Sequence, residues 1–386
     1  MASLIHFLCQ ILGQVDSFLL HNTDWNVICR HFSDNHAVHG NSSSGDSTMG
    51  MFDHWQPMVP AKELRHQPVA VKLAGADVVL FRTASGQIGA LDEMCPHRRM
   101  KLSEGHVVGE KLRCAYHGWT FDCDGQGESP GTPKLSACAS TWDAREEHGY
   151  IWVKSKQSDP VFPKFDVDGW SFMCTTNHLA TAPLELTVDN FCEIEHTPMI
   201  HDVFGYDLDR MKEVTVNFET TDDTVKVINH GPPKPMNRFV RMLVGIRKGF
   251  IFNDTWTTHF SPVYSVYDHA WHHPEIEWDA KVKWRVYIFF TPVHEMATRV
   301  TAFTFAKSRW RIPFEHGLMF TRRFMRRKVT HEIELDVGIL SNLASYETGI
   351  EGMKLSRFDK VLAMNRERIK RIYRGLDTQK TKLKMA

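Results

Sequence analysis

Two pairs of cysteine and histidine residues give the strongest chemical signal in this chain. The first pair lies in Cys95-Pro96-His97, and the second follows after sixteen residues in Cys114-Ala115-Tyr116-His117. Two thiolates and two imidazoles can hold a tetrahedral zinc ion, or a [2Fe-2S] cluster in which histidines replace cysteines on one iron. The spacing is Cys-x-His and Cys-x-x-His, which differs from a zinc finger and favours the iron-sulfur cluster.

A second group of metal-binding residue types lies in the middle of the chain. Asn190, Glu193 and His196 step by three residues, so a helix would place them on one broad face. His201 follows His196 by five residues, and a straight helix would point it away. Pro198 can start a new turn that brings His201 back, because proline disfavours helical geometry at the residue before it. Both histidines can then bind one metal ion.

Two histidines and one carboxylate would complete the facial triad of oxygen-activating iron enzymes, which leaves three positions on Fe(II) open for oxygen and substrate. The carboxylate must come from another part of the chain. A single acidic residue is more often a solvated helix residue, so the signal depends on the paired histidines and the cluster motif together.

The composition excludes several classes of protein. The 386 residues include 46 basic and 46 acidic side chains, and a formal net charge of zero argues against a dedicated nucleic-acid binder. No stretch approaches the roughly 18 uninterrupted apolar residues of a membrane-spanning helix. We therefore expect a cytoplasmic protein, and at this length two folded domains.

The hydrophobic pattern predicts where these domains lie. Residues 1–48 end in a segment rich in glycine and serine and are predicted to be a flexible tail, with a membrane-surface helix as the alternative. Residues 51–155 alternate over short strands with tight turns, which predicts an all-β domain. Residues 156–376 mix strands and long helical patterns, which predicts an α+β domain. Residues 377–386 are predicted to be a second tail.

Individual elements can also be predicted from the periodicity. Strands are predicted at 69–73, 78–81, 88–91, 282–290 and 300–305, and a hairpin at 214–228. Helices are predicted at 315–343 and 357–373, with Gly375 as a cap for the last one.

The first motif resembles the signature of the Rieske non-heme iron oxygenases, and the resemblance covers roughly residues 51–376. It rests on Cys95-Pro96-His97-Arg98-Arg99 and on Cys114-Ala115-Tyr116-His117-Gly118-Trp119. The resemblance implies that Cys95 and Cys114 hold one iron of the cluster while His97 and His117 hold the other.

The resemblance extends to the second motif. The catalytic domain of the family carries Asn-x-x-Asp-x-x-His, a second histidine four or five residues later, and an aspartate on a late helix. It implies that His196 and His201 bind mononuclear Fe(II) and that Asp336 is the third ligand. Glu332 and Glu334 are the alternatives to Asp336.

The chain departs from the family pattern at Glu193, where the family usually has aspartate. In the family this carboxylate links a cluster histidine to an iron histidine across the subunit boundary of a head-to-tail homotrimer. Here the link would join His117, Glu193 and His196. Glutamate resembles the quaternary-ammonium branch of the family, whereas the five-residue step from His196 to His201 resembles the aromatic O-demethylating branch.

The resemblance implies the oxygenase component of a monooxygenase of the phthalate and vanillate-demethylase type. Its catalytic domain would be a helix-grip fold, in which an antiparallel sheet curves over a long helix. A ferredoxin, or a reductase with flavin and iron-sulfur groups, would relay electrons from NAD(P)H. The enzyme would use O2 to hydroxylate or demethylate a small aromatic or cyclic substrate. The alternative is a Rieske-type electron carrier or a ligand-binding helix-grip protein without oxygenase activity.

Aromatic residues are concentrated between residues 250 and 284, and two or three of them are expected to line a substrate pocket. The candidates are Phe252, Trp256, Phe260, Tyr264, Tyr267, Trp271, Trp278 and Trp284. His269 and its neighbours lack metal spacing with a carboxylate and are expected at the surface or behind a metal ligand.

Overall fold

The computed structural model describes residues 50–376, apart from residues 66, 134, 237, 239–240, 243–244, 276–279 and 309–313. The tails predicted at 1–48 and 377–386 lie outside the described residues. Within the described part, no helix combines the length and the apolar character needed to cross a membrane.

Residues 56–155 form three small antiparallel sheets, with strand orders β1-β11-β10, β2-β3-β4 and β5-β6-β7-β8-β9. The strands are β1 Gln56–Pro60, β2 Val69–Leu73, β3 Ala76–Arg82, β4 Ile88–Asp92, β5 His106–Val108, β6 Lys111–Arg113, β7 Thr120–Phe121, β8 Gln126–Glu128, β9 Ser136–Cys138, β10 Trp142–Glu147 and β11 Tyr150–Ser155. Ala74 and Gly75 both have positive φ angles, as a two-residue turn between twisted strands requires. The all-β prediction for this part of the chain is confirmed.

Residues 171–308 contain one seven-stranded antiparallel sheet with the order β12-β18-β17-β16-β15-β14-β13. The strands are β12 Ser171–Ala180, β13 Thr215–Thr220, β14 Thr224–Gly231, β15 Ile251–Phe260, β16 Val263–His272, β17 Val282–His294 and β18 Ala297–Ser308. Burial alternates residue by residue along β14 and β15, so one face of the sheet is covered. The hairpin predicted at 214–228 is β13 and β14.

Helices cover the buried face of this sheet. They are α1 Leu184–Phe191, α2 Thr197–Ile200, α3 Phe314–Leu340 and α4 Lys360–Arg368, and a π-helical turn Ile369–Tyr373 continues α4. Short 3-10 turns span Met51–Asp53, Ala61–Glu63, Leu102–Glu104 and Leu208–Glu213. Val329 and Ile333 of α3 share one core with Trp256 and Val286 of the sheet, so the long helix packs across it. The predicted α+β fold with a long late helix is confirmed.

The last helix begins three residues later than predicted. The Asp359 carboxylate accepts a hydrogen bond from the backbone amide of Ser356 at 2.6 Å, which forms a separate turn ahead of the helix. Gly375 ends the helical region with a φ of 63°, which is the cap geometry that glycine adopts most easily.

An aromatic cluster joins the two domains. Its buried members are Trp55, Tyr150, Trp152, Tyr264, Tyr287, Phe289, Phe303 and Phe305. The Trp152 and Phe289 rings meet edge to face with centroids 5.0 Å apart. The backbone amides of Ala74 and Gly75 also donate to the carbonyls of Pro292 and Val293, each at 2.8 Å. The small sheets therefore lie firmly against β17 and β18.

Candidate functional site

Two similar loops of the all-β domain carry the first set of candidate residues. In one loop the amide of Arg99 donates to the Cys95 carbonyl at 2.9 Å, and in the other the amide of Gly118 donates to the Cys114 carbonyl at 3.1 Å. Arg99 and Gly118 both have positive φ angles, which turns each loop back on itself. This tight turning brings each cysteine close to the histidine of its own motif.

The structure brings Cys95, His97, Cys114 and His117 together at one end of the domain. Both cysteines are buried, and the two imidazole centroids lie 4.5 Å apart on the more exposed side. Burial and the neighbouring Cys114 raise the pKa of Cys95 to about 11, so its thiolate requires a bound cation. Partial desolvation and the adjacent His97 lower the pKa of His117, which keeps that imidazole neutral. This donor set fits a [2Fe-2S] cluster with two cysteine and two histidine ligands.

The second set lies between α1 and α3. Helix α1 ends at Phe191, so the prediction that Asn190, Glu193 and His196 share one continuous helix is wrong. The Glu193 carboxylate accepts hydrogen bonds from the backbone amides of Glu195 and His196, and these bonds replace the helical ones. Pro198 lies in the first turn of α2, as predicted, and His201 directly follows that helix.

Three donor atoms converge where these elements meet. The Nε2 atoms of His196 and His201 are 3.1 Å apart, and Oδ1 of Asp336 lies 3.2 Å from the first and 3.4 Å from the second. Donor atoms that bind one metal ion at about 2.1 Å and at right angles lie about 3.0 Å from one another. The residues present therefore fit one Fe(II) ion.

Polar side chains hold the three donors from behind. Asn190 donates from Nδ2 to Oδ1 of Asp336 at 3.2 Å. Nδ1 of His196 contacts the Glu193 carboxylate, and Nδ1 of His201 lies 2.9 Å from Oε2 of Glu332. Glu332 thus lies behind a histidine, and Glu334 is exposed, so the geometry favours Asp336 among the three acidic residues weighed from the sequence.

The electrostatics of the site favour a positive charge. Burial by itself lowers the pKa of both imidazoles, but Asp336 and Glu193 outweigh it and raise the pKa of His196 to about 9. Asp336 and Glu332 likewise raise the pKa of His201 to about 10. Burial raises the pKa of Asp336, yet the two histidines hold it below its usual value. Three carboxylates around two imidazoles are suited to a divalent cation.

A cavity of about 110 Å³ lies beside the three donors. Of the eight aromatic residues proposed from the sequence, Trp256, Tyr267 and Trp284 line it, which agrees with the expected two or three. Trp278 lies outside the described residues. Tyr267 also donates from its hydroxyl to the Phe191 carbonyl at the end of α1, which fixes the start of the loop that carries Glu193.

Sequence reasoning missed a buried pair on the sheet side of this cavity. Nε2 of His269 lies 3.1 Å from Oδ1 of Asp254, and both residues line the cavity. His269 is therefore not at the surface. The alternation along β15 could have located Asp254, because it falls on the same face as Phe252 and Trp256. His269 lies directly opposite Asp254 in the register of β15 and β16.

An all-β domain with two Cys-His loops, joined to a helix-covered sheet with a two-histidine, one-carboxylate pocket, defines a two-domain Rieske non-heme iron protein. Residues 54–141 match the family described as the Rieske [2Fe-2S] domain. Residues 180–340 match the vanillate O-demethylase oxygenase C-terminal domain. Together the two matches cover more than half of the chain, and the chain belongs to the Rieske oxygenase family.

Several characterised proteins are similar to this chain. Protein TIC 55 of the Pisum sativum chloroplast is 30% identical over 190 residues, which are 45% of this chain and 34% of that protein. The oxygenase subunit of phthalate 4,5-dioxygenase from Pseudomonas putida is 36% identical over 138 residues, which are 33% of this chain and 31% of that subunit. The matched region thus spans only about a third of each relative. The crystal structure of dicamba monooxygenase bound to dicamba has a TM-score of 0.67 at 17% identity and covers 84% of this chain and 98% of its own. This structural similarity shows that the two chains share a fold.

Proposed function

We propose that this chain is the terminal oxygenase component of a Rieske monooxygenase. In this proposal Cys95, His97, Cys114 and His117 hold the [2Fe-2S] cluster, and His196, His201 and Asp336 hold the mononuclear iron. The convergence of three donor atoms within 3.4 Å beside an aromatic-lined cavity is the observation that carries the proposal. When bound, the cluster would supply electrons and the iron would activate O2.

The protein groups would orient the iron ligands and exclude water. Asn190 holds the Asp336 carboxylate and Glu193 fixes the tautomer of His196, while the Glu332 carboxylate places its charge 2.9 Å from Nδ1 of His201. The aromatic walls would hold a small cyclic compound for hydroxylation or for O- or N-demethylation. Relatives named for phthalate and vanillate support a small ring as the substrate.

Electrons would arrive from a separate ferredoxin, or from a reductase that carries flavin and iron-sulfur groups. Several apolar or imidazole side chains near the cluster loops are exposed in the single chain, including His97, Met94 and Tyr116. Such a surface is suited to contact with another protein chain. We propose that a neighbouring subunit of a homotrimer covers it, and that His117 of one subunit reaches Glu193 of the next.

The cytoplasmic location stays a prediction, and two relatives are chloroplastic.

The iron assignment is tested by replacing one ligand. His201→Ala should lower the iron content by about one atom per chain and leave the sulfide content unchanged, because the cluster lies in the other domain. His294→Ala, at an exposed position on β17, is the matched control. Iron and sulfide analysis of anaerobically purified protein, with EPR of the cluster, gives the answer. If His201→Ala keeps the iron content of the wild type, His201 is not an iron ligand. A wild-type protein that holds iron for the cluster alone would instead favour the electron carrier.

The bridge between subunits is tested at Glu193. Glu193→Ala should slow oxidation of the reduced cluster by roughly tenfold or more in the presence of O2 and substrate, because the carboxylate no longer orients the iron-binding imidazole. Glu195→Ala is the matched control, since Glu195 is exposed and its carboxylate bonds to Ser356. Stopped-flow absorbance of the cluster measures the rate. An unchanged rate and product yield in Glu193→Ala would show that electrons take another route.

A further inference from the structure

The described residues that line the cavity carry an unbalanced set of charges. Four of them are acidic, namely Glu193, Asp254, Glu332 and Asp336, and none is lysine or arginine. A bound divalent iron would compensate for two of these charges. Asp254 lies on the sheet side of the cavity, away from the loop and helices that supply the iron ligands. Its carboxylate is buried, and the group paired with it is the imidazole of His269 rather than a permanent cation.

The geometry points to a substrate without a carboxylate, and this inference rests on the proposed oxygenase function. We propose that the cavity accepts an uncharged or cationic compound with one ring and a hydroxyl or amino donor. A substrate carboxylate would enter a poorly hydrated space next to Asp254 without a lysine or arginine to pair with it, which is strongly unfavourable. In this respect the cavity differs from one suited to aromatic acids such as phthalate.

The polar atoms on the sheet side of the cavity indicate which hydrogen-bonding groups the substrate carries. Oδ1 of Asp254 and Nδ1 of His269 are both buried without a hydrogen-bond partner among the described residues, although Nε2 of His269 lies 3.1 Å from that oxygen. The Asp254 oxygen can accept a hydrogen bond from a hydroxyl or amino group of the substrate. The indole Nε1 of Trp256 is likewise buried without a partner in the described part, and it can donate to an oxygen.

The apolar walls set the size and tolerate a positive charge. Phe204 lies over His269 with ring centroids 4.7 Å apart, and Trp256 and Trp284 form part of the same wall. Aromatic faces attract cations, so a protonated amine is accepted where a carboxylate is not. The volume of about 110 Å³ is of the same order as the roughly 150 Å³ of a cavity that holds one benzene molecule. One ring therefore already fills the space, with a small displacement of the lining side chains, and a second ring does not fit.

Benzyl alcohol, benzylamine and benzoate test this inference because they have one ring, similar size and different charge. Binding to the iron-loaded protein is measured by calorimetry under argon without a reductant, so the result does not depend on turnover. We expect benzyl alcohol and benzylamine to bind at least tenfold more tightly than benzoate. Benzoate binding that is equal or tighter overturns the proposal, and so does the failure of all three compounds to bind.

A pair of variants identifies the group responsible. Asp254→Asn should improve benzoate binding at least threefold relative to benzyl alcohol, because it removes the buried carboxylate and keeps the shape. Asp268→Asn is the control, because Asp268 directly precedes His269 on β16 and its carboxylate bonds to Arg285 outside the cavity. This variant should leave the preference unchanged. An unchanged preference in Asp254→Asn overturns the role of that residue. The wild-type ratio decides the substrate class even if Asp254→Asn does not fold.

The two proposals can fail separately. A protein that prefers benzyl alcohol but lacks the mononuclear iron would contradict the oxygenase function and keep the cavity selectivity. A protein with full iron content that prefers benzoate would contradict the selectivity alone.

Discussion

The two iron-facing histidines are each held by a carboxylate on the ring nitrogen that faces away from the metal position. Glu193 contacts Nδ1 of His196, and Glu332 lies 2.9 Å from Nδ1 of His201. The contact with Glu193 fixes the tautomer of His196, so that Nε2 is free to bind a metal, and both carboxylates raise the basicity of the imidazole that they face. Glu332 also accepts from the backbone amide of Asp202 at 3.3 Å, which ties the residue after His201 to helix α3.

Glu332→Gln should weaken the iron affinity by roughly 10- to 100-fold, because the imidazole loses its anionic partner. The structure offers Glu334→Gln as a matched control two residues away on the same helix, where the side chain is exposed. Competition for Fe(II) with a chelator of known affinity measures the effect. Equal iron affinities for the two variants would mean that Glu332 does not orient His201.

At the scale of elements, the hydrophobic periodicity of the sequence predicted those strands that depend on local residue patterns. The alternation in 69–91 and the apolar runs in 282–305 gave the strands β2, β3, β4, β17 and β18 in nearly the right places. Periodicity does not indicate where a side chain forms hydrogen bonds with the backbone. The Glu193 carboxylate binds two backbone amides and so interrupts the helix that a three-residue step predicts.

The residues of the candidate site likewise fall into those that spacing along the chain predicts and those that only tertiary packing brings together. Cys95, His97, Cys114 and His117 were found from their spacing, because each pair lies in one short loop. Pairing across strands is set by register, and register depends on tertiary packing rather than on residue spacing along the chain. Asp254 and His269 meet because β15 and β16 pair residue for residue around a short turn, and the spacing of the two residues along the chain does not specify that register.

Helix α3 contains a glycine that neither packing nor backbone geometry requires. Gly338 is exposed, and a Cβ atom built there meets nothing within 4 Å. Gly338→Ala should raise the free energy of unfolding by about 0.5–1 kcal/mol, because alanine restricts the unfolded chain more than glycine does. Urea titration followed by tryptophan fluorescence measures the change.

A second glycine gives the opposite expectation and serves as the contrast. Gly205 has a φ of 120°, and a Cβ there would lie 2.7 Å from Oγ1 of Thr197, the residue after His196. Gly205→Ala should lower the free energy of unfolding by about 1 kcal/mol or more. Destabilisation of Gly338→Ala to the same degree would indicate that α3 makes a contact at that position in solution.

At the scale of the whole molecule, a few residues at the start of the all-β domain connect three parts of the fold. Nδ1 of His54 lies 2.8 Å from the Ser261 hydroxyl between β15 and β16, and its Nε2 lies 3.3 Å from the Tyr373 carbonyl after α4. The His54 ring stacks on Tyr373 with centroids 5.0 Å apart. Gln56 adds bonds to the Tyr373 and Thr291 hydroxyls, each at 3.0 Å. The domains and the C-terminal helix are thereby joined at one buried point.

This junction should make stability depend on pH. Burial lowers the pKa of His54 below its usual 6.5, although the Tyr373 carbonyl and Asp53 partly oppose the shift. In the interval between the lowered folded pKa and the unfolded value near 6.5, the unfolded chain binds a proton that the folded chain does not. The contribution of His54 to stability is therefore fully present above that interval and is lost as the pH falls through it. Burial lowers the pKa values of His148, His178 and His259 in the same way, whereas those of His196 and His201 are raised in the absence of a metal ion and act in the opposite direction. His54 therefore contributes only part of the slope.

His54→Gln should reduce this dependence, because glutamine can bond to Ser261 and Tyr373 but does not take up a proton. We expect the free energy of unfolding of the wild type, relative to that of the variant, to decrease between about pH 7.5 and about pH 5.5, measured by urea titration. The absolute stability at the higher pH should decrease, since the stacking on Tyr373 is lost. His294→Gln, at an exposed position, should keep the wild-type slope. If His54→Gln also keeps that slope, protonation of His54 does not oppose domain docking, and the acid sensitivity must come from the other buried histidines.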